Sequence, residues 1–303
     1  MITLPTHFRK TVTNTFSGGA EWLDRLPQLL AMCERRWSLT VQPTTFTLSY
    51  NYVTPATLAD GTEVVLKAGV PNQELCTEIE GLRIYNGRSC VRLLDADSEN
   101  GVLLLERIHP GEMLTTISDD DAATRLAAQV MQKLWRPLPA EHNFPSVADW
   151  GKGFARLRAE FGGGTGLFDT RLVKMAESHF TDLLASMDEP VLLHGDLHHF
   201  NILSAGNSWL TIDPKGIVGE PAYEIGALLR NPTPHIFNEP ELGRITARRL
   251  DILAETLALD WERLRQWSLA QAVLSAWWGY EDGGDAADWQ PTMYLASVLA
   301  ELV

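Results

Sequence analysis

At 303 residues, with 45% hydrophobic and 21% charged side chains, the chain has the composition of a soluble globular protein long enough for two cores, which excludes a disordered or fibrous class. Its 25 Lys and Arg stand against 39 Asp and Glu, a formal net charge of −14, so nucleic acid is not expected as a partner, because phosphate backbones select basic surfaces. Cys33, Cys76 and Cys90 lack metal-ligand spacing and fit a reducing cytoplasm; MITLPTHFRK has no signal-peptide core, and no stretch approaches the ~18 apolar residues of a membrane span.

In chain order, a helix is predicted over 22–37, followed by a strand-rich section over 44–106 that contains one helix. The run Thr44 to Leu48 reads as extended, and Ser49-Tyr50-Asn51-Tyr52-Val53 as the turn after it. Thr62 to Lys67 reads as a strand entered from the turn Ala59-Asp60-Gly61, with Val65 and Lys67 sharing a face by period-two alternation. Leu75, Ile79, Leu82 and Tyr85 then give helical spacing over 72–86, stopped by Gly87. Val102 to Glu106 is a short apolar strand, punctuated by Pro110-Gly111.

Beyond this point the pattern turns helical. Helices are predicted over 119–135, with acids clustered at the N-terminus, then over 146–160, 170–187, 221–230, 239–257, 260–279 and 287–302. Gly162-Gly-Gly-Thr-Gly166 joins two helical patterns and lacks the Lys-Ser/Thr pair of a phosphate loop, so it reads as a connection. Asp285 and Asp288 read as caps of the last helix.

The most informative run lies between the helices. Val191 to Leu193 reads as a buried strand delivering His194-Gly195-Asp196 into a loop; Asn201 follows at 201 − 196 = 5, and the strand Trp209 to Ile212 carries Asp213 at 213 − 196 = 17. An aspartate in such a loop can accept a proton from a hydroxyl. An asparagine oxygen and a second carboxylate can converge on magnesium, which prefers hard oxygen ligands and keeps waters and phosphate oxygens besides. That order matches the phosphoryl-transfer plan of a catalytic Asp, a downstream Asn and a metal-binding Asp after a short hairpin. The residues alone leave two other readings open: a metal-dependent hydrolase using His194, Asp196, His198 and His199, and a structural turn. His7, His109, His142, His179 and His235 supply no second metal motif.

HGDLHHFNIL followed by IDPKGIVGEPAYEIGALLRNP resembles the aminoglycoside phosphotransferases, in the branch of streptomycin 6-kinases and hydroxyurea phosphotransferases. LSYNYVTPATLADGTEVVLKAG, TEIEGLRIYNGRSCVRLLDAD and LLLERIHPG extend the resemblance over most of the chain. It implies an α+β, bilobal protein-kinase-like fold, with a small β-rich N-lobe over 1–107 and a larger, mainly helical C-lobe over 108–303. It further implies that Asp196 is catalytic and that Asn201 and Asp213 hold Mg2+. Lys67 would orient the ATP phosphates, paired with Glu78 rather than Glu74 or Glu80, and the main chain near Glu106 and Ile108 would read the adenine edge. Ser49 stands in the place of the phosphate-covering loop, although that segment has no glycine. Relative to protein kinases, His194-Gly195-Asp196 lacks the Arg through which a phosphorylated activation loop acts.

The acceptor is expected to be a small, cationic molecule drawn to an acidic protein, most simply an aminoglycoside of streptomycin type, inactivated by O-phosphorylation as antibiotic resistance. Glu220, Glu281 and Asp282 are the expected carboxylate contacts, with Glu224 and Trp277 beside them, since carboxylates bind guanidinium directionally and aromatic faces hold cations. Another small metabolite is the alternative acceptor. A protein substrate is disfavoured by the short interval from Asp213 to Pro221. No membrane partner is expected, and the protein should be a monomer or weak homodimer.

Overall fold

A computed structural model describes residues 4–302, and the chain divides into two compact units between His109 and Pro110. The first begins with α1 (Thr6–Thr15) and α2 (Gly19–Trp37) and continues through β1 (Leu39–Val41), β2 (Tyr52–Leu58), β3 (Glu63–Ala68), α3 (Gln73–Tyr85), β4 (Leu93–Asp97) and β5 (Val102–Glu106). The strands form one antiparallel sheet in the order β1-β2-β3-β5-β4. Alternation along the strands builds the core: Tyr52, Ala56, Val64, Leu66, Val102 and Leu104 bury one face against Phe8 and Val12 of α1 and Leu23, Leu26 and Leu30 of α2. Lys67, one residue out of phase with Leu66, belongs to the other face. α3 starts at Asn72, whose side chain accepts from the Leu75 amide at 2.8 Å, and ends at Asn86 in the left-handed region.

One sequence expectation changes here, and one helix is added. Residues 42–51 are not a strand; the ladder stops after Gln42, whose N–H donates to Pro55 O at 2.9 Å. Pro43 has no N–H to continue it, and the Thr44 hydroxyl donates to Val53 O at 2.6 Å while accepting from the Phe46 amide at 3.1 Å, a local alternative to ladder bonds. α1 was not predicted, because only Phe8 and Val12 of its ten residues are buried.

The second unit contains β6 (Pro110–Met113), α4 (Asp120–Leu134), α5 (Val147–Glu160), α6 (Thr170–Ala185), β7 (Val191–Leu193), β8 (Ile202–Ala205), β9 (Ser208–Thr211), β10 (Ile217–Gly219), α7 (Gly226–Leu229), α8 (Leu242–Leu257), α9 (Trp261–Glu281) and α10 (Ala286–Glu301). α9 is buried on most sides, including Trp267, Leu269, Val273 and Trp277, and packs against α5, α6, α8 and α10. The strand leading into the His194–Asp196 loop pairs elsewhere than with the hairpin that follows it: β7 takes β10, while β8 and β9 form the hairpin with β6 on its flank. The expected helix over 221–230 is a 3-10 turn, Pro221–Ile225, that runs into the single turn of α7. The glycine-rich segment 162–166 connects α5 to α6, with Gly162, Gly163 and Gly166 at positive φ.

α10 opens with a capping box in which Asp285 accepts from Ala287 N at 2.7 Å and Asp288 accepts from Asp285 N at 2.8 Å. Asp285→Ala should therefore cost about 1 kcal/mol. A urea midpoint lowered correspondingly is the expected result, and an unchanged midpoint would show that the cap contributes nothing to stability.

Candidate active site

The chain leaves β7 at His194 and must turn at once. Gly195 makes the turn at φ +86°, and a Cβ there would lie 2.8 Å from Ile217 Cγ2 and 3.1 Å from the Trp150 ring. The amides of His194 and Gly195 point into the protein, where the Glu224 carboxylate accepts both, at 2.7 and 2.8 Å. Glu224 is 1% exposed. Burial pushes its carboxyl up to about 7, against the two amide donations that favour the charged form.

The same loop is tied to the turn that carries Asp213 between β9 and β10. His194 O accepts from Lys215 N at 2.8 Å and Gly216 N at 3.3 Å. Its ring is buried; Nδ1 accepts weakly from Asp196 N at 3.3 Å, which leaves the Nε2 proton for Ile212 O at 2.8 Å. Burial lowers the ring to about 4, so it is a neutral strut at neutral pH. With both nitrogens occupied it is no metal ligand. Among the described residues no group of three or more His, Cys, Asp or Glu is arranged to hold a metal ion, so the hydrolase reading is not favoured.

Asp196 keeps a side chain 31% exposed, with Oδ2 at 3.6 Å from His198 Nε2 and Oδ1 at 3.4 Å from Arg230 Nη2. Burial alone would raise its pKa, but His198, Arg230 and Lys215 together hold it below the usual carboxylate range. Asn201 ends the 3-10 turn His199–Asn201; its Nδ2 donates to Asp196 O at 3.0 Å, which directs that donor inward and leaves Oδ1 to face other partners. Ile212 N donates to Asn201 O at 3.0 Å, continuing the β8–β9 register, so Asn201 and Asp213 lie at the same end of one hairpin. Asp213 adopts φ +59°, a left-handed conformation uncommon outside glycine and tolerated by Asp. One amide oxygen and one carboxylate from this hairpin suit magnesium, which needs few protein ligands when phosphate oxygens complete its shell.

In the first unit Lys67 Nζ donates to both Glu78 oxygens, at 2.6 and 2.8 Å, and both side chains are buried. Glu74 is exposed and Glu80 half-buried. Ser49 is exposed in the loop before β2. Glu106 is tied to the strand edge, its amide donating to Arg92 O at 3.0 Å and its carboxylate accepting from Arg92 N at 2.7 Å, while Ile108 is buried. Beside that segment a cavity of about 610 Å³ is lined by Pro43, Thr45, Pro55, Val64, Arg107 and His109, among others.

The expected acceptor contacts fare differently. Glu220 is an interior residue, 2% exposed, accepting from Arg263 at 2.8 and 2.9 Å and from the Trp267 indole, so its buried charge is already matched. Glu224 is the loop anchor. Trp277 is buried among Phe161, Phe168 and Tyr280, leaving no face for a ligand. Glu281 forms a fork with Arg156 at 2.6 and 2.8 Å, and Asp282, exposed, caps α9. Sequence reasoning passed over Arg230, which lies 34 residues from Asp196 with no motif spacing to flag it, and Trp150. The half-buried Trp150 ring abuts Gly195 and meets Trp278 edge-on at 5.5 Å.

Residues 36–283 match the family described as aminoglycoside/hydroxyurea antibiotic resistance kinase. The chain is 32% identical over 272 residues to a streptomycin 6-kinase of Streptomyces glaucescens, covering 89% of this chain and 88% of that one. It is 34% identical to a hydroxyurea phosphotransferase of Kitasatospora aureofaciens, covering 88% and 77%. Among solved structures, a thermostable mutant of an aminoglycoside phosphotransferase in ternary complex with ADP and hygromycin B superposes with a TM-score of 0.63 at 13% identity, covering 89% of this chain and 97% of that one, a likeness of fold.

Replacing Glu224 by Gln sets an NH2 group against one of two buried loop amides. The expected cost is about 1–3 kcal/mol in denaturant stability, together with reduced turnover. Stability and turnover equal to the parent protein would show that the loop does not depend on this carboxylate.

Proposed function

This chain belongs to the aminoglycoside/hydroxyurea antibiotic resistance kinase family and is an O-phosphotransferase; we propose that it moves the γ-phosphoryl group of ATP to a hydroxyl of a small cationic acceptor of streptomycin type. The observation that carries this reading is the loop His194 to Asn201, pinned from behind by Glu224, with an anionic Asp196 partly open to solvent and the Asn201 oxygen directed away from its anchor.

Asp196 accepts the acceptor's proton and orients its oxygen for in-line attack. Because the transition state is loose, holding that oxygen in line contributes more than removing the proton early. Asn201 and Asp213 would hold magnesium, which neutralises charge on the phosphate oxygens when bound. Lys67, with its ammonium fixed on two Glu78 oxygens, is the phosphate-orienting cation. Base recognition by the main chain near Glu106 and Ile108 rests on the family resemblance; neither residue lines the cavity beside Arg107 and His109. An excess of 14 negative charges favours a cationic acceptor through the long-range field. The 34% identity to a hydroxyurea phosphotransferase favours a second reading, a small uncharged hydroxyl compound as acceptor.

Asp196→Ala should keep nucleotide affinity and lose roughly 100-fold or more in turnover. The measurement is coupled ADP release with streptomycin, other aminocyclitols and hydroxyurea, each against background hydrolysis; undiminished transfer by the variant would overturn the assignment of Asp196, and a response to hydroxyurea alone would overturn the cationic acceptor.

A further inference from the structure

Arg230 follows α7 and is a cation held inside the second unit, its side chain 15% exposed. One guanidinium nitrogen donates to Gln271 Oε1 of α9 at 2.6 Å, and another lies 3.4 Å from Asp196 Oδ1. Gln271 is 1% exposed and donates through Nε2 to Tyr223 O at 3.3 Å. The close approach is built in at Gly226, where a Cβ would stand 2.1 Å from Gln271 Oε1. A string of polar groups thus runs from α9 through Gln271 and Arg230 to one oxygen of the loop carboxylate, while His198 faces the other oxygen at 3.6 Å.

We propose that Arg230, set by Gln271, is a positioning residue that fixes the rotation of the Asp196 carboxylate so that it meets the acceptor hydroxyl in line. This rests on the reading of Asp196 as the residue that receives the acceptor proton. The arrangement has the features such a role requires. An Arg fork keeps its charge at any working pH and is directional, and Gln271 removes the freedom of one arm. The 3.4 Å separation is longer than a full charge-assisted hydrogen bond, so the guanidinium orients the carboxylate without occupying the lone pair that takes the proton. Arg249, a buried Arg further along the chain, differs in its partners: it is bound to Asp120 at 3.0 Å and to the carbonyl oxygens of Leu228 at 3.3 Å and Asn231 at 2.7 Å, none of them in the Asp196 loop.

The test uses the full-length protein and ADP release with streptomycin. Arg230→Lys and Arg230→Ala should lower kcat by about 10- to 100-fold, with the KM for ATP and the melting temperature of the Lys variant near those of the parent. Guanidinium chloride at a non-denaturing concentration should restore part of the Arg230→Ala rate. Gln271→Leu should lower kcat in the same direction but less, and this variant carries the test if Arg230→Ala does not fold. In an Asp196→Ala background, Arg230→Lys should cost nothing further. If Asp196→Ala alone is inactive while Arg230→Lys and Gln271→Leu keep full kcat, or if the losses simply add, the positioning role is wrong and the base assignment stands. If Asp196→Ala itself turns over normally, the base assignment fails first.

Discussion

A single buried carboxylate holds the loop of the second unit together. The two peptide N–H groups at His194 and Gly195 lie past the last ladder bond of β7 and would be orphaned in the interior, where an unpaired donor is costly. Glu224 takes both, one on each oxygen. With that peptide fixed, His194 O can accept from Lys215 and Gly216, and the His194 ring can donate to Ile212 O. The Asp196 loop and the Asp213 turn, on either side of the β8–β9 hairpin, are thereby tied to each other directly.

The buried Lys67–Glu78 pair is a different kind of commitment. Removing both charges from water costs more than a surface pair ever returns, and an apolar pair of equal volume would serve stability as well. Its geometry, with the ammonium on both carboxylate oxygens, instead restricts where the charge can be. By contrast, Arg244 and Glu241, three residues apart on the exposed start of α8, gain little from their bond.

What could be read from the chain was what local pattern controls. The strand, loop and hairpin spacing around Asp196, Asn201 and Asp213 survives because each step is short and marked by apolar runs and Gly, and the helix carrying Glu78 because its apolar positions repeat. The failures share a different cause. Thr44 to Leu48 has strand composition, but the Thr44 hydroxyl takes the backbone partners that a ladder would use. Trp277 and Trp278 are adjacent and chemically identical, and only the packing of α9 decides that the first is core and the second half-buried beside Trp150. Nothing in its local sequence marks Glu220 as a buried, matched charge, because its partners Arg263 and Trp267 arrive from α9. Arg230 carries no local mark, since its partners come from the loop and from α9.

The same packing constrains how a cationic acceptor would be recognised. Glu281 is engaged by Arg156, Glu220 by Arg263, and Asp285 with Asp288 by the start of α10, so these acids offer little unpaired charge at contact range. An acidic surface then acts mainly by raising local concentration and association rate, an effect that salt screens over about 8–10 Å. Discrimination must come from groups adjoining the reacting oxygen. Of these, the half-buried Trp150 ring lies next to Gly195 with Trp278 edge-on behind it, and Arg230 places a positive charge beside Asp196. A guanidinium or ammonium directly at the hydroxyl would meet that charge at short range, whereas one separated from the hydroxyl by a ring would not. For the cationic acceptor proposed above, that charge would favour cationic groups that stand away from the phosphorylated oxygen.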